Sequence, residues 1–442
     1  MIAPLLANEL RAFVRDGRGL TLLVLGIALT VASSWVAAST DHRERLAQTA
    51  ASHEAREAWL ERDADNPHSR AHYGHFVFLP SGPLAGLDSG LQMVTGRSIR
   101  LEAHSQNPAV HAPHREVASL LRFDRLEPST VLHLVIPLIL VLMGFGVVAT
   151  ERQNGRLRLL QIQGARPRTL LLAKALALWV VGAGLCLLVV GTHLAFAERA
   201  DPGRVLVYLV LELVSVAIVA MAVTGVSARM RRPGTAAGVL LCVWVGGAVL
   251  VPRLAAATAD SLLPLPDRDA FQAAMRADRE QGIDGHNPRD TRRLALEQAV
   301  LAEHGVESKE DLPINVDGVL MQADEEYGDR VWDEHFGELE ARMTSQASVA
   351  GLFAFAERLS MAIAGTGLQS HFAFIHQAEQ HRRELIRSLN DEHAFGGSKM
   401  GEWSWTADRE FYASFDAFRF EPPPLGELLT GRGAEVAALT LW

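Results

Sequence analysis

The histidines of one hydrophilic region are the side chains whose type and spacing could bind a metal ion. Eight histidines lie between residues 40 and 130. His68, His72 and His75 follow an i, i+4, i+7 spacing, which on a helix would place three imidazoles on one face, a set that suits Zn²⁺ or copper. Pro67 and Gly74 argue against one regular helix. The alternative is therefore a structural loop whose histidines form hydrogen bonds or respond to pH.

A single carboxylate, Glu212, lies within an apolar segment of the chain. A carboxylate inside a membrane is costly and is usually functional, facing a cavity or pairing with another chain. We expect Glu212 to lie on a transport path or at a contact between subunits. The alternatives are that its head group reaches towards the membrane surface or that burial holds it neutral.

The sequence contains no motif for an enzymatic activity of its own. It has no G-x-x-x-x-G-K-[ST] phosphate-binding loop, and "GGSKMGE" (396–402) lacks both its spacing and its Lys-Ser/Thr order. The metalloprotease pair H-E-x-x-H and the G-x-S-x-G turn of serine hydrolases are also absent. We therefore expect no catalytic residues and no cofactor bound by this chain.

Five apolar segments are long enough to cross a membrane as helices. A helix rises about 1.5 Å per residue, so roughly 20 apolar residues span the hydrocarbon core. The first segment is longer than the apolar core of a signal peptide, which favours an uncleaved helix. The predicted spans are residues 19–39, 131–149, 175–195, 205–227 and 234–252.

The short connections between these segments indicate their orientation. Residues 1–18, residues 150–174 and the connection before the fifth span together carry 12 basic and three acidic residues. Loops rich in lysine and arginine stay in the cytoplasm. We therefore expect a protein of the bacterial inner membrane, with its N-terminus and residues 150–174 in the cytoplasm.

Two large hydrophilic regions then lie on the extracytoplasmic side, at residues 40–130 and 253–425. Residues 253–421 contain 31 acidic and 17 basic residues, so the outer surface is acidic while the inner rim is basic. The high Ala, Leu, Glu and Arg content of residues 43–63 predicts a helix that continues outward from the first span. Apolar periodicity predicts a further amphipathic helix around residues 320–343.

The fold class that follows is mainly α: a polytopic helical membrane protein with two large, mostly α extracytoplasmic domains. A helix is also expected near residues 367–390. Residues 348–365 are apolar, but Glu357 and Arg358 at their centre make a sixth span there too costly. Residues 426–442 resemble the start of a sixth span, yet only seven residues follow Glu435. We expect that the natural C-terminal end is missing, the alternative being a tail at the outer interface.

The stretch "ERQNGRLRLLQIQGARPRTLLLAK" (151–174) joins the second and third predicted spans. Its charge alone could be only an orientation signal. The order of its residues, however, resembles the permease subunits of type-2 ABC exporters. In that family the second span ends in Glu and a basic residue, followed by Gly, a short coupling helix with paired leucines, an Arg-flanked Pro and a Lys. The matching residues are Glu151, Arg152, Gly155, Leu159, Leu160, Arg166, Pro167, Arg168 and Lys174.

This resemblance extends over nearly the whole chain through the N-terminal segment "LLANELRAFVRD" and the span spacing. It implies that residues 150–174, here called the coupling segment, dock in a groove of a cytosolic ABC ATPase dimer that binds ATP and Mg²⁺. It also implies a second permease chain, identical or related. We expect membrane lipid as a further partner and no nucleic acid. The residues expected to couple the chain to the ATPase are Glu151, Arg152, Gly155, Arg156, Leu159, Leu160 and Arg166.

Three functions are compatible with these patterns. The first is a permease subunit that couples ATP hydrolysis by a separate subunit to export of a substrate. The second is a mechanical transducer, in which the ATPase moves the outer domains against a partner in the cell envelope and nothing crosses. The third is a membrane-anchored, histidine-rich sensor or metal-binding protein, which leaves the coupling segment unexplained.

Overall fold

A computed structural model of the chain describes residues 2–63, 65–111, 126–196, 201–351, 354–430 and 432–433. Within these ranges, five helices are long and apolar enough to cross a membrane, and they overlap the five predicted spans. They are Gly17–Glu61, Pro128–Gln153, Pro167–Phe196, Pro202–Arg229 and Pro233–Leu262, here the first to fifth membrane helices. The chain is therefore a mainly α polytopic membrane protein, as the sequence predicts.

The second and fifth membrane helices each contain a π-helical turn. These turns cover Val131–Val135 and Gly246–Leu250. A proline, Pro137 or Pro252, follows each turn by two residues. Proline has no amide hydrogen to donate, and the wider π turn accommodates the carbonyl that an α-helix would leave without a donor. The second helix is also interrupted between Gly144 and Ala149.

Glycine residues bring the second, third and fourth membrane helices close together. A Cβ atom at Gly182 of the third helix would lie 2.4 Å from Val216 Cγ1, and one at Gly144 of the second helix would lie 2.4 Å from Val223 Cγ1. Both valines belong to the fourth helix. Since only glycine lacks a Cβ, these positions permit a backbone approach that any other residue would block. The fourth helix consequently packs against the second and the third.

An amphipathic helix, Ile2–Arg15, precedes the first membrane helix and contacts the third. The first membrane helix continues without a break to Glu61, so the predicted outward extension over residues 43–63 is helical almost to its end. A short helix, Pro67–Tyr73, follows it. This helix leads into the first strand of a small sheet.

The first hydrophilic region contains a three-stranded antiparallel sheet that the sequence did not predict. Strands β1 (His75–Phe78), β2 (Ser98–Glu102) and β3 (Ser105–Gln106) lie in the order β1-β2-β3. His75 pairs with Leu101 in the register of β1 with β2. The strands have only two to five residues, too few for a clear alternating pattern to stand out.

The second hydrophilic region is mostly helical in the part that the structure describes. Val316–Gly351 covers the predicted amphipathic helix, and Leu368–Phe395 covers the helix expected near residues 367–390. Phe355–Ala364, within the apolar segment that charge excluded as a span, packs against the N-terminal part of the fourth membrane helix. The remaining α-helices are Arg268–Gln281, Arg289–His304, Arg409–Ala413 and Leu425–Leu429. Of the predicted start of a sixth span, residue 431 and residues 434–442 lie outside the described residues.

The two hydrophilic regions share hydrophobic cores. Trp59 of the first region packs with Leu389 and Tyr412 of the second, and its indole N–H donates to the Tyr412 carbonyl at 3.0 Å. Val77 on β1 packs against Phe374 in the same way. The two domains that the sequence delimits separately therefore bury apolar surface against each other.

Candidate functional site

The end of the coupling segment is anchored by a buried lysine. Lys174 Nζ lies 2.7 Å from Glu9 Oε1 and 3.0 Å from Glu151 Oε1, and only 2% of its side chain is exposed. Glu9 belongs to the N-terminal helix, Glu151 to the end of the second membrane helix and Lys174 to the third. A buried charge is tolerated only when it is well paired. One ammonium group thus joins three elements at the same end of the bundle.

Arg152 joins the start of the coupling segment to the fourth membrane helix. Its guanidinium donates hydrogen bonds to the carbonyls of Met230 at 2.6 Å and Ala228 at 2.5 Å. The last carbonyls of a helix have no partner within the helix, and a basic side chain placed there also interacts favourably with the helix dipole. Arg152 therefore holds the end of the fourth helix against the coupling segment.

Ser227 of the fourth helix is bound to the interruption in the second. Its hydroxyl donates to the Phe145 carbonyl at 2.8 Å and accepts from the amides of Val148 and Ala149 at 3.1 and 3.2 Å. The serine is completely buried. These bonds satisfy backbone groups that the interrupted helix leaves without helical partners.

The middle of the coupling segment is a short exposed helix, Arg156–Ile162, which contains no buried residue. Gly155 and Gly164 flank this helix. Their φ angles of +74° and +89° lie in the left-handed region that favours glycine. The exposed fractions of Leu159 and Ile162 are 59% and 73%. The helix thus presents apolar side chains to its surroundings at the tip of an anchored segment.

The predicted coupling residues lie at the base of the segment, at its turn and along its exposed part. Glu151 and Arg152 hold the base, and Gly155 forms the turn that leads to the tip. Along the exposed part, Arg156, Leu159 and Arg166 are exposed and Leu160 is half-buried. Sequence reasoning missed Glu9 and Ser227 because their partners are far away in the chain. The amphipathic N-terminal helix was the one signal that pointed towards Glu9.

Glu212 is buried and paired within the membrane helices. Its Oε1 lies 3.0 Å from His133 Nε2 on the π-helical turn of the second helix. The partner of Glu212 in the structure is thus a residue of this chain, whereas the sequence analysis named a cavity or another chain. One helical turn before Glu212, the Tyr208 hydroxyl lies 3.2 Å from Ser360 Oγ, which in turn hydrogen-bonds to the Asp88 carboxylate. Ser360 and Asp88 belong to the two hydrophilic regions, so polar contacts connect both to the membrane helices.

The structure brings together His68 and His72 but not His75. The short helix ends at Tyr73, and His75 lies on β1, where its ring packs against Trp59 and His381 at centroid distances of 5.4 and 5.8 Å. His75 is therefore not part of the expected three-histidine face. The third histidine of the cluster is instead His104, from the turn between β2 and β3.

Comparison with known families agrees with the membrane architecture. A profile described as ABC-2 family transporter protein matches residues 3–282, well over half of the chain. A second profile, a domain of unknown function designated DUF3526, matches residues 269–421. No curated protein and no solved structure matches the chain at a significant level. On the strength of the first match, this chain belongs to the ABC-2 family of transporter proteins.

Proposed function

We propose that this chain couples ATP hydrolysis by a separate ABC ATPase to export of a substrate, and that the coupling segment is the ATPase docking site. Membership of the ABC-2 family makes the chain a non-catalytic transmembrane component of an ABC transporter, with an ABC ATPase and another permease chain as partners. ATP and Mg²⁺ would be bound by the ATPase. The exposed helix Arg156–Ile162 is the observation that carries the proposal.

The chemistry of this helix suits a protein interface. Leu159 and Ile162 are large apolar side chains that are more than half exposed, and Arg156 and Arg158 lie beside them in the chain. Apolar side chains and arginines that become buried on association typically supply much of the binding energy of an interface. A groove with an apolar floor and acidic edges on the ATPase would be complementary to this surface.

The base of the segment supports transmission of movement. Lys174 joins the N-terminal helix, the second membrane helix and the third, while Arg152 joins the segment to the fourth. A displacement of the docked helix would therefore act on four elements through short hydrogen bonds and ion pairs. Interfaces of this kind tend to shift between discrete arrangements rather than deform continuously.

The orientation that we propose places the coupling segment in the cytoplasm, where an ATPase would find ATP. It follows from the excess of basic residues in the N-terminal segment, the coupling segment and the connection before the fifth helix. The two hydrophilic regions would then face the periplasm of a bacterial inner membrane.

A mechanical function is the second candidate, and one group of contacts favours it. Arg204, near the outer end of the fourth helix, donates to the carbonyls of Ile363 at 3.1 Å and Pro423 at 2.8 Å. Only 4% of Arg204 is exposed. Movement of the fourth helix would pull directly on the second hydrophilic region, which could act on a partner in the envelope without passage of a substrate.

The docking proposal predicts that a Leu159→Asp/Ile162→Asp variant loses its ATPase. Burying two new carboxylates in an interface carries a large desolvation cost, so we expect at least a tenfold decrease in bound ATPase. The measurement is quantitative mass spectrometry of the full-length chain purified by affinity from its native membrane.

The matched control is Phe395→Asp, which charges an apolar residue that is 61% exposed at the end of the Leu368–Phe395 helix. It should retain the ATPase at the wild-type level. If the double variant is folded, as judged by its thermal unfolding midpoint, and still binds the ATPase like the wild type, the coupling segment is not the docking site.

A further inference from the structure

We infer that His68, His72 and His104 form a binding site for a divalent transition metal in the first hydrophilic region. His68 Nε2 and His72 Nε2 lie 3.0 Å apart, and one ring nitrogen from each of the three residues lies within 4.8 Å of the others. Two nitrogens bound tetrahedrally to Zn²⁺ are about 3.3 Å apart. Small rotations of the rings would therefore bring all three onto one ion.

The short helix that carries His68 and His72 is held in place at its N-terminal end and on the side opposite the two histidine rings. The Asn66 side chain accepts a hydrogen bond from the His68 amide at 3.0 Å and caps the helix, and Pro67 occupies its first position. Arg70, 1% exposed, donates to the Trp59 carbonyl at 2.7 Å. Because His68 and His72 are four residues apart, this short helix holds both rings on one face.

His104 is positioned by an acidic residue of the other hydrophilic region. Its backbone amide donates a hydrogen bond to Glu325 Oε1 at 2.5 Å, and its Nδ1 lies 2.5 Å from the same oxygen. Glu325 Oε2 is 2.9 Å from the buried Arg382. In metal sites a carboxylate commonly lies beside one ring nitrogen of a histidine, and the other nitrogen then faces the ion. Nε2 is the nitrogen of His104 that this arrangement leaves for a metal.

The backbone conformation of His104 also suits a binding site. Its φ is +62°, in the left-handed region that residues with a side chain rarely adopt. Such conformations persist where the surroundings enforce them, and they are frequent at functional sites. The turn therefore holds the His104 ring near the other two at a conformational cost.

Among the described residues, no fourth histidine, cysteine, aspartate or glutamate joins these three in the cluster. His393 is near, with its ring 6.4 Å from that of His68, but its two nitrogens lie 3.3 Å from the side-chain amides of Asn66 and Asn315. His72 is exposed, which provides an entry route. Three neutral imidazoles suit Zn²⁺, Cu²⁺ or Ni²⁺ and not Mg²⁺ or Ca²⁺, which prefer oxygen ligands.

A bound metal would connect the two hydrophilic regions. Two ligands precede β1 and the third follows β2, while the carboxylate that orients it belongs to the Val316–Gly351 helix. The two hydrophilic regions, residues 40–130 and 253–425, are here together called the outer body. Since a metal that binds only the folded protein stabilises it, the outer body would become harder to unfold. This inference does not depend on the coupling segment or on an ATPase partner.

The test is isothermal titration of the metal-free, full-length protein in detergent with Zn²⁺, and separately with Cu²⁺ and Mg²⁺. We expect one Zn²⁺ or Cu²⁺ per chain, no binding of Mg²⁺, and a rise in the thermal unfolding midpoint that EDTA reverses. His72→Ala should weaken binding by more than the 10–100-fold typical of a lost outer-shell partner. Because His72 is exposed, this variant should keep the wild-type circular dichroism spectrum.

The matched control is His53→Ala, which removes another exposed histidine of the same region. It should bind metal like the wild type. The inference is overturned if no saturable binding occurs, if His72→Ala binds as tightly as the wild type, or if both variants lose affinity equally. In each of those cases the 3.0 Å contact between His68 and His72 is an ordinary hydrogen bond.

Discussion

Several histidine rings of the outer body are buried in environments that oppose protonation. Burial lowers the pKa of His75 to about 3, with a smaller contribution from the positive charges of His381 and Arg56. Burial also lowers the pKa of His371 to about 4. The pKa of His68 is also lowered to about 4, mainly by burial and to a smaller extent by the charges of His72 and other nearby histidines. These rings are therefore neutral at pH 7.

The buried histidines predict that the protein loses stability in mild acid. In the unfolded chain a histidine binds its proton below about pH 6.5, whereas folded His75 does so only near pH 3. The unfolded state thus binds more protons between these values, and stability falls as the pH decreases below 6.5. For His75 alone the loss between pH 6.5 and 5 is about 2 kcal/mol.

A His75→Phe variant should therefore be less sensitive to pH than the wild type. We expect the difference between its thermal unfolding midpoints at pH 7 and pH 5 to shrink by a few degrees. His53→Phe, which changes an exposed histidine, should leave that difference unchanged. An identical pH dependence in wild type and His75→Phe would show that His75 does not remain neutral in the folded protein.

At the level of single residues, contacts between distant parts of the chain could not be predicted from the sequence. Spacing along the chain associated His68 with His72, and both belong to one short helix in the structure. It could not find His104, which reaches them only through the β2–β3 turn. Nor could it find Glu9 as a partner of Lys174, since 165 residues separate them. Local periodicity contains no information about such distant contacts.

At the scale of elements, the interruption of the second membrane helix is the least regular feature of the bundle. Between Gly144 and Ala149 the helical ladder is broken, and Ser227 satisfies the amides of Val148 and Ala149. The same helix contains a π-helical turn near its outer end. Both irregularities lie between the coupling segment and the hydrophilic regions, where a moving helix would need to adjust.

Removal of the Ser227 hydroxyl should weaken this joint. A Ser227→Ala variant leaves two buried amides without a partner, at about 1–3 kcal/mol each. We expect its thermal unfolding midpoint in detergent to fall by several degrees, while the bound ATPase is retained because Leu159 and Ile162 are unchanged. The control is Ser215→Ala, whose hydroxyl binds only the Leu211 carbonyl of its own helix at 2.9 Å. Equal effects of the two substitutions would argue against a special role for Ser227.

The elements themselves were largely predictable. Length and apolar composition identified the five membrane helices, and helical periodicity identified Val316–Gly351. The helix Leu368–Phe395 was also expected from the sequence. The π-helical turns were not predicted, because proline and glycine indicate a local departure from helix without specifying its form. The three short strands were missed because β1 gains its core residue Val77 through contact with the second hydrophilic region.

On the scale of the whole molecule, two separate parts of the sequence form one outer body. Besides the shared cores, Arg382 binds Glu325 and Glu379 at 2.9 Å each, and Glu325 binds His104 of the first region. Burial would raise the pKa of Glu325, but the hydrogen bond from His104 and the charge of Arg382 lower it to about 2. Glu325 therefore stays ionised at neutral pH and keeps both regions connected.

This outer body is joined to the fourth membrane helix by Arg204 and Tyr208, and the same helix ends against Arg152 of the coupling segment. A continuous helix thus connects the proposed ATPase docking site with the outer body. The arrangement serves export and mechanical transduction equally well, and both require that the ATPase binds at the coupling segment.

Photo-crosslinking from Ile162 tests that requirement most directly. A benzophenone amino acid would be placed at Ile162 in the full-length chain, and at Phe395 as the control, and irradiated in native membranes. We expect an adduct between position 162 and an ABC ATPase subunit, identified by mass spectrometry, and none from position 395. An ATPase adduct at position 395, or none at position 162 despite normal expression, would show that the ATPase does not dock on the coupling segment.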